Sequence, residues 1–451
     1  MVFYISNPVN VRKAALDCLN KLQHPNSRIS SVIRNIETRV QPVDLNLLHQ
    51  LVYGTIRWQG QLDWVLNPFI PNRFRLAPHL RNILRLGAYQ LLHLNRIPIH
   101  AIIYETVELA KPKIKTSRFV NAVLRNLSRN RNDLPFPDQV NEPIEWLSLS
   151  QSYPKWLVER WTEEFGLEWA KDFCQASNSL ASLTVRTNTL KIDRCNLVKK
   201  FLKSGIDARK TSTSPEGIQL LGISNLVQSN IYAEGLCQVQ DEAAQIIAHL
   251  AGITKESSQL VVDVCAAPGG KTTHLAQLMG NDGYVVAMDI TDQKIKLVEQ
   301  NCQRLGITNV ETIVASALDR VIQPLSKANI VLVDVPCSGF GTLRRHPDIR
   351  WKKNRSQISD LADLQFQILS NVADQIRAGT IIIYSTCTTE IEENQQVILR
   401  FKKQYPNFSV EAISSYLPNK NPTMQTIEGY WQTFPHLHDM DGSFAVRLRK
   451  V

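Results

Sequence analysis

Apolar runs that alternate with helical segments constrain the fold of this chain more than any other feature. Five such runs follow residue 232 and read QLVVDV, YVVAMDI, VETIVAS, NIVLVDV and GTIIIYS. Continuous apolar strands separated by helices are typical of a parallel sheet that helices cover on both faces. We therefore predict an α/β domain over residues 231–451, to which the final segment GSFAVRLRK adds an antiparallel edge strand.

The preceding residues predict two further domains of different character. Residues 8–130 repeat apolar positions at helical spacing, as in VRKAALDCLNKL and LRNILRLGAYQLLHL, with little β-branched alternation. This predicts an all-α domain over residues 1–135, followed by the proline-rich linker NRNDLPFPDQVNEP. A strand-like SLASLTVRTNTL, a helix-like IDRCNLVKKFLKSGI and a strand-like GIQLLG then predict a small α+β subdomain over residues 145–230.

Composition excludes several classes of protein. The chain is 43% hydrophobic and 20% charged, and no apolar run reaches the ~20 residues that span a bilayer. The first residues lack a basic segment followed by an apolar core, so no signal peptide is expected. The eight cysteines include no CxxC pair, so neither a disulfide scaffold nor a structural zinc site is expected. We expect a monomeric cytoplasmic protein without a membrane partner or a metal ion.

Positive charge is concentrated near the N-terminus. Residues 1–140 contain 19 Lys and Arg against 8 Asp and Glu, a surplus of 11. Since the formal net charge of the whole chain is +10, the rest of the chain sums to −1. A basic domain beside a near-neutral body favours binding to RNA or another polyanion, with a helical domain that is merely basic as the alternative.

A glycine-rich turn follows the first apolar run. Leu260–Val264 leads into Cys265-Ala-Ala-Pro-Gly-Gly-Lys271 and then into the helical THLAQLM. Small residues let a ligand approach the backbone closely, and the amides of a helix N-terminus attract negative groups. Asp289 ends the second run about twenty residues later, where a carboxylate can bind both hydroxyls of a ribose. The pattern favours a nucleotide-like cofactor, and a helix N-cap is the alternative role for Asp289.

Two cysteines follow later apolar runs. Cys337 lies in VDVPCSGFG and Cys387 in YSTCTTE, fifty residues apart. The carboxyl ends of parallel strands border the crevice in which such sheets bind ligands. An isolated cysteine at a strand end is usually a small buried residue, but the flanking Asp-x-Pro-Cys-Ser-Gly and Ser-Thr-Cys-Thr strings favour reactive thiols.

A basic segment with aromatic and imidazole side chains follows the first of these cysteines. LRRHPDIRW contains Arg344, Arg345, His346 and Trp351 on a predicted loop. Proteins bind single-stranded RNA by stacking its bases on aromatic rings and guanidinium planes, so these four residues are candidate RNA contacts. A solvated basic loop is the alternative. No second His or Cys stands at ligand spacing from His346, so a metal-binding role is not predicted for it.

The segment Asp263–Lys271 completes the pattern DxCAAPGGK and thereby resembles the S-adenosylmethionine-binding motif of RNA cytosine-5 methyltransferases. The resemblance implies a Rossmann-like class I methyltransferase domain with S-adenosylmethionine as cofactor. It implies that Asp289 binds the ribose and that Asp334 lies near the cofactor. Where the family usually has an acidic residue beside the adenine, this chain has Ser316, with Asp319 three residues later as the alternative. The residues assigned to the methionine part of the cofactor are Cys265, Ala266, Ala267, Pro268, Gly269, Gly270 and Lys271.

The same resemblance assigns catalytic roles. Cytosine C5 becomes reactive when a thiolate adds to C6, so the reaction needs an activated cysteine, a group at N3 and a base for the C5 proton. In the family the Thr-Cys cysteine is the nucleophile, here Cys387, and the Pro-Cys cysteine assists product release, here Cys337. Asp334 is expected to hold the N3/N4 edge of the base. Lys271 is expected to orient Asp334 or the thiol, with a simple salt bridge as the alternative; the base is not assigned.

The resemblance extends over most of the chain. Val11–Asp17 and Leu51–Arg57 are similar to strings of NusB-like RNA-binding domains, and Ser182–Lys191 is similar to the RRM-like subdomain that precedes the catalytic core. This architecture is that of the Sun/Fmu (RsmB) family, which methylates C5 of a cytosine in 16S ribosomal RNA. We therefore predict that reaction through a covalent adduct between Cys387 and cytosine C6. The same reaction on transfer RNA, and a non-catalytic RNA-binding or assembly factor, are the alternatives.

Overall fold

The computed structural model describes residues 9–25, 27–71, 76–111, 113–221, 226–253, 259–418 and 424–451. The first eight residues, on which the expectation of no signal peptide partly rests, lie outside the described residues. The chain divides into two compact units, residues 1–179 with 345–352 and residues 180–344 with 353–451. Among the described residues, no helix combines the length and the apolar character needed to cross a membrane.

The first unit is helical, as the apolar periodicity predicts. Leu48, Leu51 and Val52 are 0% exposed, because residues three and four positions apart share the face of the helix that enters the core. The segment 145–179, which the sequence prediction placed in the α+β subdomain, is also helical and belongs to this unit. The helices are α1 (Val11–Lys21), α2 (Ile29–Glu37), α3 (Leu45–Arg57), α4 (Gln59–Leu66), α5 (Pro78–His93), α6 (Ile99–Leu109), α7 (Ile114–Arg129), α8 (Pro143–Ser150), α9 (Lys155–Phe165) and α10 (Leu167–Asn178).

A small antiparallel sheet opens the second unit and confirms the α+β prediction. Its strands are β1 (Leu183–Thr187), β2 (Asp207–Lys210), β3 (Gly217–Leu221) and β4 (Cys237–Val239), in the order β2-β3-β1-β4. Two helices accompany it, α11 (Arg194–Lys203) and α12 (Asn230–Ala233). Leu197 and Phe201 of α11 pack with Val185 and Ile218 of the sheet in one buried cluster, which holds the helix against one face.

The remainder of the second unit is a large mixed sheet with helices. Its strands are β5 (Leu260–Asp263), β6 (Tyr284–Asp289), β7 (Val310–Val314), β8 (Ile330–Asp334), β9 (Ile381–Thr386), β10 (Phe408–Glu411), β11 (Trp431–Thr433) and β12 (Ser443–Lys450). The order is β10-β12-β9-β8-β5-β6-β7, and β11 pairs with β12. The helices are α13 (Glu242–His249), α14 (Gly270–Leu278), α15 (Asp292–Leu305), α17 (Arg355–Gln375), α18 (Gln395–Gln404) and α19 (Pro435–His438). The short helix α16 (Ile349–Lys352) interrupts this series in the chain but belongs to the first unit.

Both faces of the large sheet are buried, as the continuous apolar runs predict. Val261 and Ile330 belong to one buried cluster, whereas the adjacent residues Val262 and Val331 belong to another. Since successive side chains of a strand point to opposite faces, a strand covered on both sides must be apolar at every position. The parallel pairs β5–β6, β6–β7, β5–β8 and β8–β9 confirm the predicted Rossmann-like arrangement.

One detail of the predicted sheet is wrong. The final segment does form an antiparallel strand, β12, but it is not an edge strand. It pairs with β9 on one side and with both β10 and β11 on the other. Leu448 and Val446 are 0% exposed, so the apolar alternation of this segment reflects an interior position in the sheet rather than a half-covered edge.

Replacing a central leucine of the large sheet is expected to destabilise the fold strongly. Leu332 of β8 is 1% exposed, and Leu332→Ala should lower the free energy of unfolding by about 2–5 kcal/mol, since it leaves a cavity. Leu399 of α18 is 61% exposed and provides the matched control, with an expected change within about 0.5 kcal/mol for Leu399→Ala. Urea denaturation of both variants measures the difference, and equal losses would contradict the placement of β8 in the core.

Candidate active site

Three strands of the large sheet end at an aspartate on the same edge. Asp263 ends β5, Asp289 ends β6 and Asp334 ends β8, while β9 ends at Thr386, one residue before Cys387. These strands are consecutive neighbours in the order β9-β8-β5-β6 and run parallel. Their carboxyl ends therefore meet at one edge, where sheets of this type bind ligands.

The glycine-rich turn after β5 is shaped by close backbone packing. Gly269 has a φ of +97°, and a Cβ on it would lie 3.1 Å from Cα of Val298, so this position favours glycine. The helix α14 begins at the next residue, Gly270, where an added Cβ would meet no heavy atom nearer than 3.7 Å. The turn therefore leaves space beside the N-terminus of α14, as the sequence predicts for a ligand site.

Asp289 links the end of β6 to this turn. Its Oδ2 accepts the N–H of Ala267 at 3.0 Å, and its Oδ1 accepts the N–H of Ile290 at 2.8 Å and lies 2.9 Å from Nζ of Lys294. The N-cap alternative for Asp289 is wrong, because the side chain of Thr291 caps α15 by accepting the N–H of Lys294. Each carboxylate oxygen can accept more than one hydrogen bond, so the group keeps capacity for a ligand hydroxyl.

Asp263, within the cofactor motif but without a predicted role, is a buried carboxyl group. It is 1% exposed, and its Oδ2 accepts a hydrogen bond of 2.6 Å from the hydroxyl of Thr272. Burial raises the pKa of Asp263 to about 7, since desolvation disfavours the charged form and the nearby Asp334 adds to this effect. The group therefore ties the start of α14 to the end of β5 and changes protonation near neutral pH.

The raised pKa of Asp263 predicts a pH-dependent stability. Between about pH 4 and pH 7 the folded protein keeps a proton that the unfolded chain releases, so the free energy of unfolding falls as the pH rises, by about 4 kcal/mol in total. Asp263→Asn should remove most of this slope. Urea denaturation at several pH values measures it, with the exposed Asp360→Asn as control. An unchanged slope in Asp263→Asn would contradict the prediction.

Asp334 is held by two hydrogen bonds from opposite sides. Nζ of Lys271 lies 2.6 Å from its Oδ2, and the hydroxyl of Ser385 donates to its Oδ1 at 2.7 Å. The second bond follows from the register of β8 and β9, which sets Asp334 directly opposite Ser385. Burial lowers the pKa of Lys271, but the charge of Asp334 raises it above its ordinary value, so the ammonium stays protonated. The structure thus joins the predicted cofactor turn to the end of β8.

The two predicted reactive cysteines lie together. Their sulfur atoms are 3.1 Å apart, and the N–H of Cys387 donates to Sγ of Cys337 at 3.4 Å; both are free thiols. The hydrogen bond with Cys387 and burial raise the pKa of Cys337 well above its ordinary value. The charge of Cys387 also contributes to the raised pKa of Lys271, so the lysine ammonium is electrostatically coupled to this thiol. The structure brings Cys337, Cys387, Lys271 and Asp334 into one cluster.

Tight packing holds the loops that carry the cysteines. The N–H of Gly341 donates to the backbone oxygen of Cys387 at 3.1 Å, and a Cβ on Gly341 would lie 2.0 Å from the backbone oxygen of Gly442. The hydroxyls of Ser338 and Thr388 are 2.6 Å apart and join the two loops. These contacts fix the loops after β8 and β9 relative to each other.

Two polar residues of this region were not predicted from the sequence. Ser385 precedes the Thr-Cys pair and was not assigned a role, although its hydroxyl holds Asp334. Glu393 is 0% exposed, and its Oε2 accepts hydrogen bonds of 2.8 Å from the N–H of Ser338 and from Gln365. Burial raises the pKa of Glu393. The only signal in the sequence was the acidic segment TTEIEEN that follows Cys387. Because acidic segments usually face solvent, it did not predict a buried carboxyl group.

Ser316, predicted beside the adenine, follows β7 in a turn with Asp319. Its N–H donates to Oδ2 of Asp319 at 3.0 Å, and its Oγ accepts the N–H of Leu318 at 3.1 Å. Ser316 is half-buried and Asp319 is exposed. The serine therefore follows the strand next to the one that ends at Asp289, and its role stays a prediction.

The four predicted RNA contacts do not form one exposed loop. Arg344 belongs to the second unit, is 4% exposed and forms an ion pair of 3.0 Å with Asp439. Arg345, His346 and Trp351 belong to the first unit. The indole of Trp351 lies on the short helix α16, packs against the apolar core of that unit and donates to the backbone oxygen of Ile56 at 2.9 Å. Arg345 and His346 are half-buried.

Three family models match the chain. The model described as 16S rRNA methyltransferase RsmB/F matches residues 251–449. The NusB family matches residues 9–129, and the RsmF/B-like ferredoxin-like methyltransferase domain matches residues 153–226. Together they cover the helical region, the small α+β region and the large sheet.

Similar proteins extend over the full chain. A probable ribosomal RNA small subunit methyltransferase B from Bacillus subtilis (strain 168) is 34% identical, covering 98% of this chain and 99% of its own. The ribosomal RNA small subunit methyltransferase B of Serratia proteamaculans (strain 568) is 29% identical, covering 99% of this chain and 100% of its own. The crystal structure of the protein PH0851 has a TM-score of 0.80 with 25% identity, covering 98% of this chain and 99% of that chain.

Proposed function

Because this chain belongs to the ribosomal RNA small subunit methyltransferase B family, and is therefore an RNA methyltransferase, we propose that it methylates C5 of a cytosine in 16S ribosomal RNA. The proposed methyl donor is S-adenosylmethionine, and the proposed nucleophile is Cys387. The observation that carries the proposal is that the sulfurs of Cys337 and Cys387 lie 3.1 Å apart. The ammonium of Lys271, which pairs with Asp334, is electrostatically coupled to Cys387.

The turn after β5 and the end of β6 fit the proposed cofactor. The open position at Gly270 leaves room for a methionine moiety, and the carboxylate of Asp289 suits a ribose diol. S-adenosylmethionine bound here supplies an electrophilic methyl group. In this assignment Asp289 accepts from the ribose hydroxyls, Ser316 lies near the adenine and Asp334 borders the methionine end. The remaining proposed cofactor residues are Cys265, Ala266, Ala267, Pro268, Gly269 and Lys271.

Support for Cys387 as nucleophile comes from the groups beside its sulfur. The hydrogen bond with Cys387 and burial raise the pKa of Cys337, so the thiol of Cys337 keeps its proton and can donate towards the sulfur of Cys387, 3.1 Å away. The ammonium of Lys271 adds a positive charge coupled to Cys387. In the proposed reaction the sulfur of Cys387 adds to C6 of the cytosine and makes C5 nucleophilic.

Asp334 is proposed to hold the edge of the cytosine. Its carboxylate can accept a hydrogen bond from the N4 amino group, and Lys271 and Ser385 hold it in one orientation. The charge of Lys271 also offsets negative charge that develops on the ring while the thiolate adds. Lys271 therefore acts on both Asp334 and the thiolate in this proposal, which joins the two roles that the sequence left as alternatives.

Cys337 is proposed to assist product release. When a base removes the C5 proton, the electron pair restores the C5–C6 double bond and the bond between C6 and the sulfur of Cys387 breaks. The protonated thiol of Cys337, 3.1 Å from that sulfur, can hydrogen-bond to the leaving thiolate. The base stays unassigned.

The basic first domain is proposed to bind the ribosomal RNA. Its charge surplus and its match to the NusB family support an RNA-binding role. A ribosomal RNA substrate implies a cytoplasmic enzyme, and a monomer stays the expectation. The proposed RNA contacts Arg344, Arg345, His346 and Trp351 stay a prediction, with Arg344 and Trp351 already engaged within the protein.

The deciding experiment uses methyl-labelled S-adenosylmethionine with naked 16S ribosomal RNA and bulk transfer RNA in parallel. The expected result is label at C5 of one cytosine of the ribosomal RNA and none in transfer RNA. Label only in transfer RNA would keep the chemistry and overturn the assignment of the substrate. Label in neither RNA, repeated with small ribosomal subunits, would overturn the proposed reaction and favour an assembly factor.

A further inference from the structure

A buried cluster of one carboxylate and two imidazoles lies outside the proposed active site. Glu216 precedes β3 in the small sheet, His249 ends α13 and His274 lies in α14. We propose that these three side chains bind a divalent transition-metal ion, with zinc as the expected ion. The proposal departs from the expectation, drawn from the sequence, that the protein binds no metal ion, and the descriptions of the matching families name no metal.

The geometry of the cluster suits metal coordination. Each residue offers one ligand atom, and the three atoms lie within 4.8 Å of one another. Nε2 of His249 is 3.0 Å from Oε2 of Glu216, and Nε2 of His274 is 3.7 Å from the same oxygen. Zinc binds nitrogen and oxygen ligands at about 2.0–2.2 Å, so tetrahedral ligand atoms are separated by roughly 3–4 Å. The observed separations fit that range with small shifts.

His274 supplies the second observation. The residue is 0% exposed, and among the residues that the structure describes neither of its ring nitrogens has a hydrogen-bond partner, since the 3.7 Å separation from Glu216 exceeds hydrogen-bond distance. A buried polar group without a partner is costly, and most such groups in folded proteins are satisfied. A metal ion between the two residues would satisfy one nitrogen of this ring.

Further polar groups pack against the cluster. Glu242, a second buried carboxylate, accepts the N–H of Ser214 at 2.6 Å. The hydroxyl of Ser214 lies 3.2 Å from Oε2 of Glu216 and 2.6 Å from Oε1 of Gln245, and its single proton can be donated to only one of these oxygens at a time. Because Glu242 and Gln245 belong to α13, these contacts join Glu216 to the helix that carries His249.

The donor set favours zinc over magnesium or calcium. Zinc sites with three protein ligands often use two imidazoles and one carboxylate, and a water molecule takes the fourth position. Magnesium and calcium instead prefer oxygen ligands alone. Because α14 begins at the proposed cofactor turn, a metal ion here would fix that helix to α13 and to the small sheet.

The test measures metal rather than methyl transfer, so its result is independent of the proposed function. The full chain is purified without a histidine tag, its metal content is determined, and Zn²⁺ is titrated into chelator-treated protein with a chromophoric competitor. The expected result is about one zinc per chain and restoration of one site on titration. Less than about a tenth of an equivalent, together with no binding beyond that of the variants below, would overturn the proposal.

Two variants separate a built site from adventitious binding. His249→Gln changes the most accessible ligand and should remove the site. His100→Gln changes an exposed histidine of the other unit and is the control, with unchanged zinc content. Equal zinc binding by His249→Gln and His100→Gln would also overturn the proposal.

Discussion

Cys387→Ala is expected to abolish methyl transfer, with a loss of at least about a thousandfold, because removal of a catalytic nucleophile leaves only the contribution of binding. The thiol follows β9 on a loop held by the hydrogen bond from Gly341, and alanine fits the same space. Fold and RNA affinity should therefore be preserved. Transfer of labelled methyl groups to ribosomal RNA, together with an RNA-binding titration, measures both.

The control for this variant is Cys195→Ala, which removes an exposed cysteine of the small subdomain and should leave methyl transfer unchanged. Full turnover by Cys387→Ala would show that the nucleophile is assigned to the wrong cysteine. Loss of RNA binding together with loss of activity would point to a disturbed fold instead.

Cys337→Ala is expected to trap the enzyme on its RNA. Without the thiol 3.1 Å from Cys387, the leaving sulfur loses its hydrogen-bond donor, so the adduct should form but resolve slowly. We expect one round of methyl transfer, a fall in turnover of at least about a hundredfold and a protein–RNA complex that survives a denaturing gel.

The double variant Cys337→Ala/Cys387→Ala is the control for this trap, since it lacks the sulfur that would form the covalent bond and should show no stable complex. Normal turnover by Cys337→Ala without an adduct would contradict the assigned role. An adduct that persists in the double variant would assign the covalent bond to another residue.

Much of the fold follows from local sequence pattern. A strand covered on both faces must be apolar at every position, so the consecutive Val261 and Val262, which enter opposite buried clusters, indicate a parallel sheet by their sequence alone. The cofactor turn is equally local, because Gly269 has a backbone conformation and a close approach that favour glycine. The position of β12 could not be predicted in the same way, since an apolar strand does not reveal how many neighbours it has.

The sequence by itself determined the five apolar strands of the large sheet that follow residue 232, the turn at Cys265–Lys271 and the candidate thiols, because these depend on residues that are close in the chain. Only the tertiary structure decided that Lys271 reaches Asp334, that Ser385 supports it and that the two sulfurs lie in contact. These contacts join residues 50 to 63 positions apart, and the register of strands, not the local pattern, sets them. The cluster of Glu216, His249 and His274 could not be predicted from the sequence either, because its residues come from three separate parts of the chain that only the tertiary fold brings together.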